Sequence, residues 1–267
     1  MEHFTPEPTG ERCSVPERDA APFKHWTEQY FSPMYNRVYS GPLLSEANTE
    51  LEIEFLESVF TELLPAPIVD VGCAFGRHVK ELKARKWPVV GLDRFRHLLT
   101  EHPKRGRRLV NGDMRLLPFL PGSIGGFFCL FNSFGYYPHE DNMATLHEWG
   151  KALMPGGRLV LHVPNRPVMA QIARDFAPSQ MITHDFVLIE TYGYEAEEKT
   201  MVGSGVWQFP NAAQPWSFRL RLYTRTEMER AFKKEGLKMV ELFEDFEGTE
   251  FDDKDSTHMV IVAEKQA

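Results

Sequence analysis

Three carboxylates are spaced as the acids of a ligand site would be. Asp70 stands in PIVDVGCAFGRH (67–78), just before a turn bounded by Gly72 and Gly76, Asp93 closes VVGLD, and Asp113 follows Gly112. A buried acid just before a glycine turn faces a cationic or hydrogen-bond-donating part of a ligand rather than a phosphate. An acid at the tip of the next strand, here 21 residues beyond Gly72, accepts from both hydroxyls of a ribose in nucleotide-binding α/β folds. Three acids at three successive strand ends would lie side by side along one edge of a parallel sheet.

The elements that must hold them are legible from pattern. The apolar run before Gly72 reads as a strand, and the basic segment after Gly76 as a helix whose Val79 and Leu82 face inward. Glycine at the turn permits close backbone approach and brings N–H groups and a helix N-terminus toward a ligand. Upstream, Thr49 with Glu52 forms a capping-box pattern opening a helix with Leu51, Phe55, Leu56, Val59 and Phe60 on its apolar face. Short apolar runs at 89–93 and 109–111 predict strands two and three, and the nearly all-apolar 124–131 a buried central strand four. A helix over 141–154 stops at Pro155-Gly156-Gly157, and RLVLHVPN follows as strand five.

In that order and spacing, DVGCAFGR, VVGLD, NGDMRLLPF, FFCLFNSFGY and LMPGGRLVLHVPN resemble the successive motifs of class I S-adenosylmethionine-dependent methyltransferases of the small-molecule type. The likeness covers roughly 63–165 strongly and the C-terminal segment loosely. It implies S-adenosyl-L-methionine as cofactor, cradled by Asp70, Gly72, Cys73, Ala74 and Gly76, with Asp93 and its neighbour Arg94 at the ribose. It also implies that Asp113 accepts from the adenine amino group while Met114 covers the ring face; the plainer readings are a turn aspartate and a core methionine. One departure is Ala74, where the family has glycine: alanine fits if its φ is negative, and otherwise the loop must distort.

The aromatic-rich segment 23–48 reads either as an amphipathic piece packed on the core or, by the resemblance, as a lid carrying Tyr30 and Tyr35 toward the methionine carboxylate or sulfonium. Residues after strand four line the donor methyl group and the acceptor in this family, which makes Asn132, Tyr136 and Tyr137 candidates. With His162 on strand five, Asn132 and Tyr137 form the catalytic short list, although a lone histidine in a strand is more often a hydrogen-bonded core residue. The Asn-Pro-Pro-Tyr signature of enzymes that methylate base amino groups is missing, which moves weight from DNA toward small molecules. Arg166 faces the acceptor side. Direct in-line displacement is the expected mechanism, with a general base needed only if the acceptor must first lose a proton.

From 167 to 223 the regular alternation stops. A helix over 168–176 precedes three antiparallel runs, DFVLIETYGYEA, KTMVGSGVWQF and WSFRLRLYT, which would cap the site. Alternation sets Phe218, Leu220 and Leu222 opposite Arg219, Arg221 and Tyr223. If Arg221 turns inward it favours an acceptor bearing a carboxylate or phosphate; otherwise it lies on a solvated face. Thr224 with Glu227 caps a further helix ended by Gly236, and runs over 238–243 and 258–263 form the hairpin that completes the sheet.

The expectation is therefore an α/β fold: a seven-stranded, mostly parallel, doubly wound sheet with its last strand antiparallel, an N-terminal helical lid and an inserted antiparallel β cap. Its parts are a flexible 1–22, a lid over 23–48, a core over 49–166 and 224–267, and a cap over 167–223. A chain of 267 residues with 42% hydrophobic and 25% charged residues fits such a domain with additions. A net charge of −8 argues against a broad nucleic-acid surface. The basic cluster 104–108 reads as a solvated turn rather than an RNA patch, since no aromatic residues interleave it. Cys13, Cys73 and Cys129 lack metal-ligand spacing and predict no metal site. The polar start and the lack of a long apolar run read as a cytoplasmic protein without membrane contact. Two alternatives stay open: a nicotinamide oxidoreductase, short of its full glycine pattern at Ala74 and Arg77, and a protein that binds S-adenosylmethionine without catalysis.

Overall fold

The computed structural model describes residues 23–39, 45–100 and 108–267. The segment 1–22 and the basic cluster except Arg108 lie outside the described residues.

A seven-stranded sheet forms the centre. In chain order its strands are β1 (Ile68–Val71), β2 (Val89–Asp93), β3 (Leu109–Asn111), β4 (Ile124–Cys129), β5 (Leu153–Pro164), then β10 (Leu237–Phe243) and β11 (His258–Lys265), the cap supplying β6 to β9. Their spatial order is β10-β11-β5-β4-β1-β2-β3. Neighbours from β3 to β5 pair in parallel, and β11 runs antiparallel to both β5 and β10. All of β1 and β4 is buried, as strands covered by helices on both faces must be. The chain leaves β1 in one direction through β2 and β3 and returns on the other side at β4, so a crevice opens beyond the carboxyl ends of β1 and β4. Such reversal points are where open α/β sheets take ligands.

Helix α3 (Glu46–Phe60) precedes β1, and α4 (Arg77–Ala84) follows it. The cap of α3 is Ser45, whose side chain accepts from Asn48 N–H at 3.2 Å, so the expected box at Thr49 and Glu52 is not the helix start. Both residues lie one turn and more inside the helix and are buried. A hydroxyl three residues before an acid arises equally where both turn toward a polar interior, and sequence spacing does not separate the two cases. Helix α6 (His139–Ala152) begins two residues before the expected Asp141, and the Pro-Gly-Gly expected as its stop lies within β5.

Helix α7 (Arg166–Asp175) leads into the cap, a four-stranded antiparallel sheet of β6 (Ser179–Ile182), β7 (Val187–Glu195), β8 (Thr200–Phe209) and β9 (Ala212–Arg221). Three strands were expected and four are present. The short β6 is exposed at every residue, so it has no buried face to imprint an alternation. Trp207, Trp216, Phe218 and Leu220 of the cap enclose Trp26 and Tyr30 of α1 (Phe23–Tyr30) and Val38 of α2 (Pro33–Tyr39) in one hydrophobic cluster. Lid and cap are thus packed as one body over the sheet edge. Among the described residues no helix is long and apolar enough to cross a membrane.

A charged latch ties the cap to the core. Glu227, the N3 residue of the capping box that starts α8 (Arg225–Lys234), receives Arg166 at 2.5 Å, Lys199 at 3.2 Å and Arg221 at 3.5 Å. Burial alone would raise its pKa, but hydrogen bonds from Arg166, the Thr224 backbone and Lys199 hold it down at about 2. The latch therefore contributes fully above about 4.5, the ordinary glutamate value, and is lost as pH falls toward 2. Glu227→Gln, which keeps a side chain able to complete the box, is expected to cost about 1–2 kcal/mol near neutral pH, the full linkage value being discounted for solvent screening. Glu227→Ala should cost about 1 kcal/mol more through the lost cap. Thermal melts across the acid range check both, the penalty of Glu227→Gln fading as pH drops.

Candidate functional site

The carboxyl end of β1 turns sharply at Gly72, where φ is +77° and an added Cβ would come within 2.9 Å of the Ser133 side chain beyond β4. Two neighbouring strand tips close on each other there, and only glycine satisfies both the angle and the contact. Gly72 and Cys73 donate to the Leu92 carbonyl at 2.8 and 3.2 Å, Gly76 to the Cys73 carbonyl at 2.8 Å, and Ala74 to Asp93 Oδ2 at 2.8 Å. These four N–H groups are spent inside the protein, so the amide cradle expected of the turn is not offered to a ligand. Ala74 has φ +46°, the left-handed conformation the family meets with glycine. The loop keeps its shape and the alanine carries the strain. Ala74→Gly is expected to stabilise the fold by about 1 kcal/mol, seen as a raised thermal midpoint.

Asp93 ends β2 and is 6% exposed. Its second oxygen takes the Phe95 N–H at 2.7 Å. Burial raises its pKa, against the hydrogen bonds from Phe95 and Ala74. Each oxygen has one backbone donor and lone-pair capacity for another, which suits a pair of ribose hydroxyls.

Asp70 and Asp93 open on one cavity of about 1090 Å³, counting its mouth. Gly72, Cys73, Ala74, Arg94, Met114, Tyr35, Tyr136 and Tyr137 also line it, so most of the expected cofactor residues come together here. Phe31, Phe95, Leu98 and Thr27 add walls that sequence reasoning did not assign, and so do Arg77 and His78. Burial, with Asp70 and Asp93 beside it, pushes the Cys73 thiol well up, so it stays protonated and is no nucleophile. Tyr137 also holds its proton: burial and Asp113 raise its pKa against Arg115, which stacks over its ring at 4.3 Å, and Arg94.

Other expected site residues lie elsewhere. Asp113 does not line the cavity; Arg115 grips its carboxylate with Nη2 at 2.7 Å and Nε at 3.0 Å. Burial would raise Asp113, but these bonds hold it below the usual carboxylate range. Gly76 begins α4 in the left-handed conformation, with the Leu109 side chain against it, and is outside the cavity wall. Tyr30 belongs to the lid–cap core, 5.6 Å from Trp216 and 5.3 Å from Phe218.

Of the catalytic short list Tyr137 lines the cavity, and Asn132 and His162 do not. Asn132 Nδ2 is 3.4 Å from His258 Nε2, and His162 Nδ1 accepts the Phe131 N–H at 3.3 Å. Desolvation, with His258 close by, lowers His162 to about 3, so it is a neutral acceptor that pins the chain beyond β4. Arg166 and Arg221 belong to the Glu227 latch, and Arg221 also donates to the Leu222 carbonyl; neither reaches the cavity. The alternation correctly set Arg221 off the apolar face, but that face abuts the core rather than an acceptor.

The richest polar feature is one the sequence reading missed. Behind the turn, His78 stands between Glu52 and Asp70, and Arg77 joins Glu52 at 2.5 Å. Asp70 Oδ2 and Arg77 Nη2 are both buried without a hydrogen-bond partner, and both residues line the cavity. A carboxylate oxygen and a guanidinium nitrogen with unused hydrogen-bonding capacity, on residues that line a cleft together with Asp93, suit a nucleoside that carries an α-amino acid. The signal was in the sequence, as Arg77-His78 directly after Gly76, but the basic segment reads there only as a helix whose Val79 and Leu82 face inward.

Residues 68–157 match a family model described as a methyltransferase domain. Residues 68–157 carry a methyltransferase domain. A S-adenosylmethionine-dependent methyltransferase from Clostridium acetobutylicum superposes on this fold with a TM-score of 0.75, at 13% identity over 88% of this chain and 98% of that one. The CcbJ methyltransferase from Streptomyces caelestis gives 0.69 at 19% identity, over 82% and 90%. S-adenosylmethionine-bound CalS10, an amino pentose methyltransferase from Micromonospora echinaspora, gives 0.62 at 21% identity, over 88% and 98%. A search of the curated proteins by sequence finds no match. In this methyltransferase the orphaned atoms of Asp70 and Arg77 fit the ammonium and carboxylate of the cofactor's methionine end.

Proposed function

We propose that this methyltransferase moves a methyl group to an uncharged amine on a small molecule by direct in-line displacement. The observation that carries the reading is a pair of buried atoms without a hydrogen-bond partner, Asp70 Oδ2 and Arg77 Nη2, on residues that line the same cleft as Asp93. When bound, S-adenosylmethionine supplies a methyl group on a positively charged sulfur. Asp70 and Arg77 hold its amino-acid end, Asp93 takes the ribose hydroxyls, and Gly112 and Met114 form the wall beside the base. Phe31, Tyr35, Tyr136 and Tyr137 exclude water around the reacting atoms, and alignment in a dry cleft supplies several kcal/mol without a covalent intermediate.

The acceptor is read from which bases the cleft offers. Tyr137 keeps its proton, His162 is outside, and His78, the one lining imidazole among the described residues, is wedged between two carboxylates. A hydroxyl acceptor needs a base to become nucleophilic; a neutral amine does not. Thr27, 5% exposed, lines the lid side of the cleft and leaves its hydroxyl without a partner, which suits a polar acceptor. The name of CalS10 as an amino pentose methyltransferase agrees with this chemistry. A nicotinamide dinucleotide fits less well. Its pyrophosphate needs turn amides, and those of Gly72, Cys73, Ala74 and Gly76 already donate within the protein beside the buried Asp70.

Titration calorimetry with S-adenosylmethionine and with nicotinamide dinucleotide should give heat for the first alone, and Asp93→Ala should weaken that binding at least about tenfold. Incubation with methyl-labelled donor and a metabolite extract should then place label on amines. Label recovered on hydroxyl oxygens overturns the acceptor reading, and no label at all favours a protein that binds the cofactor without catalysis.

A further inference from the structure

Behind the glycine turn, four charged side chains from three elements form one buried set. Glu52 comes from α3, Asp70 from β1, and Arg77 and His78 from the first turn of α4. His78 is 5% exposed; its Nε2 lies 2.7 Å from Glu52 Oε2 and its Nδ1 3.5 Å from Asp70 Oδ2. Arg77 Nη1 reaches the same Glu52 oxygen at 2.5 Å and donates to Thr49 Oγ1 at 2.7 Å. On the remaining side β4 offers an apolar ring, Phe128, edge-on to the imidazole at 5.9 Å. Asp93, on β2, is close enough to Asp70 to feel its charge.

Two anions and two cations balance only if the imidazole carries both protons. A neutral ring has one N–H. Given to Glu52, it leaves the Nδ1 lone pair facing an Asp70 oxygen, and Asp70 must turn away. Burial pulls the proton affinity of His78 down, but Asp70 and Glu52 outweigh it and the net shift is upward from 6.5.

We propose that Glu52 and His78 are positioning residues for the cofactor's amino-acid end: the doubly protonated imidazole, anchored by Glu52, faces Asp70 Oδ2 from behind and fixes the orientation in which the carboxylate presents its remaining lone pairs to an ammonium group. This rests on the reading that an S-adenosyl amino acid fills the cleft. His78 and Glu52 touch no reacting atom and act through Asp70. As pH rises through the raised imidazole value, the proton is lost, Asp70 is released, and affinity for the ammonium end falls.

Calorimetry on the full chain with two probes tests this. S-adenosylhomocysteine carries the amino-acid end, and 5′-methylthioadenosine carries the nucleoside without it. His78→Gln should weaken S-adenosylhomocysteine about tenfold or more, the scale of one hydrogen bond to a charged group, and leave 5′-methylthioadenosine within about twofold. The wild type should lose S-adenosylhomocysteine affinity on an alkaline limb that His78→Gln lacks, beyond the ligand's own amine titration common to both. Glu52→Gln should move that limb to lower pH, because one of the carboxylates that hold the proton is gone.

Binding of 5′-methylthioadenosine certifies that each variant is folded. If His78→Gln does not fold, the near-isosteric Glu52→Gln and the wild-type pH profile still decide. Equal weakening of both probes, unchanged or tighter S-adenosylhomocysteine binding, or a wild-type limb that coincides with the ligand's amine overturns the inference. A wild type that binds neither probe, or both alike at every pH, removes the reading of the cleft itself and the inference with it.

Discussion

The hydrogen bond from the Ala74 amide to the Asp93 carboxylate joins two strand tips, and the geometry of the cleft follows from it. It fixes the turn after β1 against the end of β2 and fills the electron-rich side of a buried acid. It also supports an alanine in a conformation alanine avoids, at a cost of about 1–2 kcal/mol. With the turn amides committed, the ligand end of β1 is defined by side chains. Asp70 and Arg77 hold the polar atoms that lack partners, and Asp93 keeps the capacity for two more donors.

That division of labour explains the electrostatics. A sheet edge bearing Asp70 and Asp93 at the ends of the paired strands β1 and β2 would repel itself if both faced a low-dielectric cleft without compensation. Burial and the neighbouring charge push Cys73 and Asp93 upward, which records that cost. Arg77 and His78 offset it from behind, and Glu52 holds them in place. The helix that follows the turn thus supplies positive charge through side chains, where many nucleotide sites use bare amides.

Strands were legible because each carried a period or an apolar run: the ends of β2 and β3 fell as expected, and the antiparallel close of the sheet followed from two short runs after Gly236. Asp70 and Asp93 were expected at the cleft from their strand-end spacing, and Cys73, Ala74 and Met114 from the family resemblance, and all five line it. What sequence could not show was direction. Asn132 and Tyr137 are five residues apart beyond the same strand, yet left-handed backbone at Phe131 and Asn132 turns one behind the sheet while the other meets the cleft. His162 reads the same in a strand whether its ring meets ligand or, as here, the Phe131 amide. Glu52 and Thr49 matched a capping pattern, and only packing reveals that they face inward toward Arg77 and His78. Arg166 was expected on the acceptor side and Arg221 either there or on a solvated face, and the spacing gave no sign that Glu227 would take both.

Trp26 and Tyr30 are threaded into the aromatic face of the cap sheet, while Phe31 and Tyr35, a turn further on, overhang the cleft. The roof over the reactants is therefore keyed into a rigid plate and cannot peel back as a loose strap. Any displacement of the roof is thereby shared with the plate, whose attachments to the core at the β5–α7 and β9–α8 junctions carry the Arg166, Arg221 and Glu227 charges. A substitution in the aromatic plate is therefore transmitted to Phe31 and Tyr35 at the cleft although the plate's own tryptophans do not line it.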